Sequence, residues 1–112
     1  MEIRERHVGP TVVLDLSGEM VGGSLLKDKV NSLVFQGHRQ ILLNLGDVSY
    51  VDSSGLGELI ASHTTVSRPG GQVKLVNLTK RVHDLLTITK LVTIFENFDT
   101  ETEALQSFTM TV

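Results

Sequence analysis

The strongest constraint on the fold is the segment Gln40–Leu45, an apolar run that is interrupted only by Asn44. A strand that is apolar on both faces is typical of the interior of an α/β sheet, where helices cover both sides. A second buried strand, Gln72–Asn77, follows after a helical pattern. Strands that alternate with helices predict parallel pairing through right-handed crossovers. The sequence therefore predicts an α/β fold with a mixed, mostly parallel sheet.

Turn residues and helical periodicity place the other elements, beginning with Gly9-Pro10, which separates two alternating runs and predicts an antiparallel N-terminal hairpin. Loops are expected at 18–23 and 46–50, and a last short strand at 93–95. The predicted helices span residues 23–35 (with Ser24 as N-cap), 54–66, 79–86 and 100–108. The residues of the second helix that are expected to face the core are Leu56, Leu59, Ile60, His63 and Val66. The chain of 112 residues is thus expected to form a single domain, residues 1–112, with about five strands and about four helices.

The composition excludes several classes of function. The chain has no cysteine, and none of its 4 histidines has the H-x-x-x-H spacing, so we predict no disulfide, no metal site and no cofactor. The net charge of −3 offers no basic stripe for a phosphate backbone, so nucleic acid is not an expected partner. The apolar runs are only a few residues long, whereas a membrane span needs about 20. We therefore expect a soluble, cytoplasmic protein that does not enter a membrane.

The segment Asp52–Leu59, at a predicted loop-to-helix junction, carries most of the functional information. Its two serines, Ser53 and Ser54, are residues that commonly cap helices, while Gly55 and Gly57 remove two side chains from the first turn, which capping does not require. One interpretation is a structural N-cap with glycines for close packing. The other is a phosphoacceptor serine on a flat docking surface, where Asp52 and Glu58 already make the patch acidic and a phosphate would add about −1.5 to −2 charges. The residues alone leave both interpretations open.

Other motifs that could give this segment a chemical role are incomplete. The dinucleotide fingerprint lacks its third glycine, since Ile60 stands in that place. Neither serine lies in a G-x-S-x-G elbow, and the sequence contains no phosphate-binding loop with its lysine. Asp15 is a lone acid where a response-regulator-like pocket needs a pair, which indicates a structural or surface role. With no visible set of nucleophile, base and orienting group, we predict that the protein is not an enzyme.

The chain resembles the anti-sigma factor antagonists, which are stand-alone STAS domains (the sulfate-transporter and anti-sigma-antagonist fold). The resemblance is carried by four segments, Leu16–Glu19, Ile41–Leu45, Val48–Gly57 and Gly70–Leu75, and extends over essentially the whole chain. It implies a partner that is both an anti-sigma factor and a serine/threonine kinase of the histidine-kinase-like ATPase fold. The unphosphorylated antagonist would bind this partner and release a sigma factor. Phosphorylation would break the complex, and a PP2C-type phosphatase would restore it.

By this resemblance Ser53, the first serine of the motif, is the phosphoacceptor. The residues expected to form the docking surface are Asp52, Ser54, Gly55, Leu56 and Gly57. The loop Gly18–Gly23 lacks the aspartate that such proteins often carry there, and its Met20 and Val21 become candidates for apolar contact with the partner. Two alternatives remain: a non-cycling STAS scaffold or regulatory subunit of a signalling or transport complex, and a nucleotide or small-molecule binder that uses the helix N-terminus as an anion site.

Overall fold

The computed structural model describes residues 1–23 and 25–109. Strands and helices alternate along the chain, as the periodicity predicts. The strands are β1 (Glu2–Val8), β2 (Thr11–Met20), β3 (Gln40–Val51), β4 (Gln72–Val76) and β5 (Asn97–Phe98). The helices are α1 (Leu25–Phe35), α2 (Ser53–Ser67), α3 (Lys80–Ile88) and α4 (Glu101–Thr109), with a 3₁₀ turn at Leu91–Thr93. None of the helices in this described part is long and apolar enough to cross a membrane.

The five described strands form one sheet in the order β1-β2-β3-β4-β5. The hairpin β1–β2 is antiparallel, and the remaining neighbours pair in parallel. The predicted α/β class, with a mixed, mostly parallel sheet and an antiparallel N-terminal hairpin, is therefore confirmed. Leu42 and Leu43, consecutive residues of β3, are both 0% exposed, because successive side chains of a strand point to opposite faces and helices cover both.

The two faces of the sheet carry cores of unequal size. The larger core lies between the sheet and helices α1, α2 and α3, and its fully buried members include Leu14, Leu43 and Leu59. The smaller core lies against α4 and is formed by Val13, Leu42, Val76, Ala104 and Phe108. The side that α1 and α2 cover is the side on which the functional site is built.

Three sequence expectations about the elements are wrong. Residues 18–20 and 46–50 are not loops, because β2 and β3 continue to Met20 and Val51 and pair through two register shifts. Their glycine and aspartate residues lie in these irregular stretches, while Val48 and Val51 still face the core. The last strand is not at 93–95: the chain there leaves the 3₁₀ turn, and β4 pairs instead with residues 97 and 98. The expected Ser24 cap lies outside the described residues.

The core-facing side of α2 also differs from the expectation. Ile60 is 41% exposed, whereas Glu58 and Ser62 are buried beside Leu59 and Val66. His63 is half-buried and packs edge-to-face on Phe95 at 5.4 Å between ring centroids. The buried side of α2 therefore lies closer to Gly55 than we expected. Gly55 has no side chain, so this side of the helix can approach the end of β2 closely.

Candidate docking and phosphorylation site

The site is set by the short connection between β3 and α2. β3 ends at Val51, α2 begins at Ser53, and only Asp52 separates them. Val51 is opposite Met20, the last residue of β2, and the Asp52 backbone N–H donates to the Met20 carbonyl at 3.2 Å. The first turn of α2 is thereby held at the carboxyl edge of the sheet, where functional loops of α/β folds gather.

Asp52, not either serine, is the N-cap of α2. Its backbone is extended (φ −102°), and its Oδ1 accepts a hydrogen bond from the Gly55 N–H at 2.9 Å. The expectation that a serine hydroxyl caps the helix is wrong, because the aspartate precedes both serines and is itself a favoured cap. Ser53 and Ser54 are therefore the first two helical residues. Both are exposed, and within residues 1–23 and 25–109 neither hydroxyl has a hydrogen-bond partner.

Gly55 and Gly57, in the first turns of α2, have different surroundings. A Cβ on Gly55 would lie 2.1 Å from the Met20 carbonyl oxygen, so this residue allows α2 to pack on the end of β2. A Cβ on Gly57 would meet no atom within 4 Å, and the residue is exposed. Close packing therefore explains Gly55, whereas Gly57 leaves a bare stretch of surface. Leu56 between them is half-buried against the core.

Of the two apolar residues that we expected to contact a partner from the loop after β2, only Val21 is exposed. Met20 is 0% exposed and its side chain lies beneath Gly55, so the expectation that Met20 contacts a partner is wrong. The error arises because residues 18–20 belong to β2 rather than to a loop. Val21 is 49% exposed and lies beyond the end of that strand. Gly22 follows, and its backbone packs against Ser54 so closely that a Cβ would lie 2.8 Å from the Ser54 Cβ.

Glu58 is a feature that the sequence reasoning misplaced. We expected it to add to an acidic surface patch, but it is only 6% exposed. Its Oε1 accepts a long hydrogen bond, 3.4 Å, from the Lys27 N–H in the first turn of α1. Its Oε2 is buried and has no hydrogen-bond partner in the described part of the chain. The available signal was the helical spacing, since Glu58 lies three residues after Gly55 and four before Ser62 on one stripe.

Another polar cluster lies on the opposite face of the sheet, and we call it the ion-pair network. Arg6 of β1 donates to Asp15 of β2 at 2.6 and 3.0 Å and to Glu101 of α4 at 2.6 and 3.3 Å. Asn44 of β3 donates to Asp15 at 2.8 Å. The hydrogen bond from Arg6, followed by that from Asn44, lowers the pKa of the Asp15 carboxyl below its ordinary value against the opposing effect of burial. This pairing fits the structural role that we expected for Asp15.

Comparisons with known proteins bear on the whole chain. The STAS domain family model matches residues 2–104. The anti-sigma-B factor antagonist of Bacillus subtilis is 34% identical over 87 residues, which cover 76% of this chain and 79% of that protein. The structure of TM1081 from Thermotoga maritima has a TM-score of 0.84 at 26% identity and covers 94% of this chain and 92% of that one. The unphosphorylated form of the anti-sigma factor antagonist SpoIIAA has a TM-score of 0.76 at 25% identity and covers 98% of this chain and 100% of that one.

Proposed function

This chain belongs to the STAS domain family, and we propose that it is an anti-sigma factor antagonist whose binding is switched by phosphorylation of Ser53. The observation that carries the proposal is the unused hydroxyl of Ser53. Asp52 caps α2, so the exposed Ser53 hydroxyl at the helix N-terminus is not needed as a cap. A serine kept free in this way is accessible to a kinase.

In its unphosphorylated form the protein would bind an anti-sigma factor and thereby release a sigma factor. The docking surface would comprise Ser53 and Ser54, the bare backbone at Gly57, and the exposed side chain of Val21. Leu56 and Gly55 would support this surface from beneath, and Asp52 would hold its first turn in place. A flat surface without long side chains permits the close backbone approach that a shape-complementary interface requires.

The anti-sigma factor would also be the kinase, with the ATPase fold of histidine kinases. The Ser53 Oγ would attack the γ-phosphorus of ATP held by that kinase, so that an O–P bond forms, ADP leaves and the hydroxyl proton passes to the kinase or to water. The product carries about −1.5 to −2 charges at neutral pH. The positive end of the α2 dipole tolerates this charge, so the fold is retained, whereas a partner pressed onto the same surface would meet the bulk of the phosphate and would have to strip water from it. A PP2C-type phosphatase would hydrolyse the ester and restore binding, and the need for ATP leads us to expect this cycle in the cytoplasm.

Two substitutions of Ser53 and a matched control at Ser54 test the proposal. The kinase is sought among ATPase-fold proteins encoded beside this chain, and binding is measured by calorimetry. Ser53→Ala should bind the kinase and accept no phosphate, whereas Ser53→Asp should bind at least about tenfold more weakly because its charge imitates the switched state. Ser54→Ala removes one hydroxyl of the docking surface but keeps the phosphoacceptor, so it should still be phosphorylated at Ser53 by mass spectrometry and should lose less affinity than Ser53→Asp. Equal affinity of Ser53→Asp and the wild type contradicts the switch, and absence of phosphate at Ser53 under every growth condition favours a non-cycling scaffold.

A further inference from the structure

A recess lies beside Ser54, the residue that follows the proposed phosphorylation site. It is an open pocket of about 340 Å³ between the Gly22-Gly23 turn and the first two turns of α2, to which Ser54, Gly57 and Glu58 contribute. Gly22 and Gly23 both have positive φ angles, +98° and +92°, and carry no side chain that could fill the entrance. Ser54, the chain neighbour of Ser53, lines this pocket, so the pocket adjoins the proposed docking surface.

Glu58, the acidic residue of this pocket, has an incomplete set of hydrogen bonds. Only Glu58 Oε1 has a donor, the Lys27 N–H at 3.4 Å, and Oε2 has none among residues 1–23 and 25–109. A buried carboxylate oxygen without a partner costs folding free energy, and it gains most from a charged donor. The side chain of Lys27 is exposed and forms no ion pair with Glu58 in this part of the chain, although it lines the same pocket.

We propose that the pocket is a binding site for an arginine side chain that the docking protein supplies, with Glu58 as its carboxylate. A guanidinium presents parallel N–H groups that can reach a carboxylate and a neighbouring hydroxyl such as that of Ser54 together. A single carboxylate is too few ligands for a calcium or magnesium ion, and the described residues contain no cluster of three acidic or histidine side chains. The arginine would act as an anchor within the interface. This inference rests on the proposed function for its partner, but its chemistry can be tested without one.

The experiment uses Nα-acetyl-arginine amide as the probe and the amide signals of Gly22, Gly23 and Gly57 as the NMR readout. The wild-type protein should show saturable shifts at these glycines. The citrulline analogue, which has the same shape without the charge, should bind at least about tenfold more weakly, and Glu58→Gln should weaken arginine binding by a similar factor. The citrulline comparison is made on unaltered protein, so it stands even if Glu58→Gln changes the local packing.

Several outcomes would overturn the proposal. These are the absence of saturable shifts in the wild type, equal binding of the citrulline analogue, and unchanged arginine binding by Glu58→Gln. Binding that appears only in Lys27→Met would mean that Lys27 itself occupies the pocket, which also overturns it. Neither a kinase nor phosphorylation is needed, so failure here leaves the Ser53 switch standing, and failure of that switch leaves this measurement unaffected.

Discussion

The ion-pair network and the first turns of α2 are both polar, yet their groups are paired to opposite extents. In the network, Arg6 is held by Asp15 and Glu101, and Asp15 also accepts from Asn44. At the start of α2, the hydroxyls of Ser53 and Ser54 and one oxygen of Glu58 have no partner in the described chain. The network links β1, β2, β3 and α4, whereas the two serine hydroxyls lie on an open surface and the Glu58 oxygen is buried close to Ser54.

This difference separates residues that hold the fold together from residues that are available to another molecule. A polar group that is satisfied inside the protein contributes to folding, and removing its partner leaves a group unpaired. An exposed hydroxyl that the fold leaves unpaired, as in Ser53 and Ser54, contributes little to stability and can exchange water for a partner's group. Substitutions in the network should therefore change the free energy of unfolding, and substitutions on the open surface should mainly change binding.

The largest change in stability is expected at Gly55, where the first turn of α2 packs against Met20 at the end of β2. Gly55→Ala should destabilise the protein by about 3 kcal/mol, because the added methyl would overlap the Met20 carbonyl, 2.1 Å away, and neither backbone can move freely. Urea unfolding followed by circular dichroism measures this loss. The matched control is Gly57→Ala two residues later, and an equal loss at both positions would contradict the assignment of Gly55 to packing.

The second effect concerns the network. Asp15→Asn should cost about 1–2 kcal/mol, since it removes the charge that Arg6 and Asn44 bind while keeping the shape of the side chain. Asp47→Asn is the control, because Asp47 is exposed on the neighbouring strand β3 and should change stability by less than about 0.5 kcal/mol. Affinity for the docking protein should be unchanged in both variants. A loss of binding in Asp15→Asn without a loss of stability would reverse the roles of the two regions.

The pH dependence of stability provides a second test of the network. Arg6 lowers the pKa of Asp15, so this carboxyl stabilises the fold above its unfolded-state pKa and the contribution is lost as the pH falls through the lower folded-state value. Outside the network, hydrogen bonds from Lys29 and then from His7 also lower the pKa of Glu5, so its contribution is lost on acidification too. The stability difference between the wild type and Asp15→Asn should therefore be constant near neutral pH and shrink below about pH 4. A difference that grows on acidification would contradict the pairing.

The sequence predicts the order and class of the elements because apolar periodicity reports local burial. The sequence predicts two strand ends wrongly, those of β2 and β3, because turn-forming residues lie within the paired strands, as in residues 46–50 of β3. The motif predicts where the site lies, but it does not predict which residue caps α2 and which hydroxyl remains free. Asp52 and Ser53 are both good caps, and only the hydrogen bond to the Gly55 N–H shows which one caps. The burial of Glu58 depends on the approach of α1, a contact from a distant part of the chain that periodicity alone does not specify.

Apart from the Asp47 control, the smallest change in stability is expected for Gly57→Ala, which should raise stability and lower the affinity for the partner. Gly57→Ala should stabilise the protein by about 0.5–1 kcal/mol, because alanine restricts the unfolded chain, favours the helix and meets no atom within 4 Å. The same methyl stands on the proposed docking surface, so we expect affinity for the anti-sigma factor to fall several-fold, as measured by calorimetry. If stability and affinity both rise, Gly57 does not lie in the interface, and the open surface must be redrawn around Ser53 and Val21.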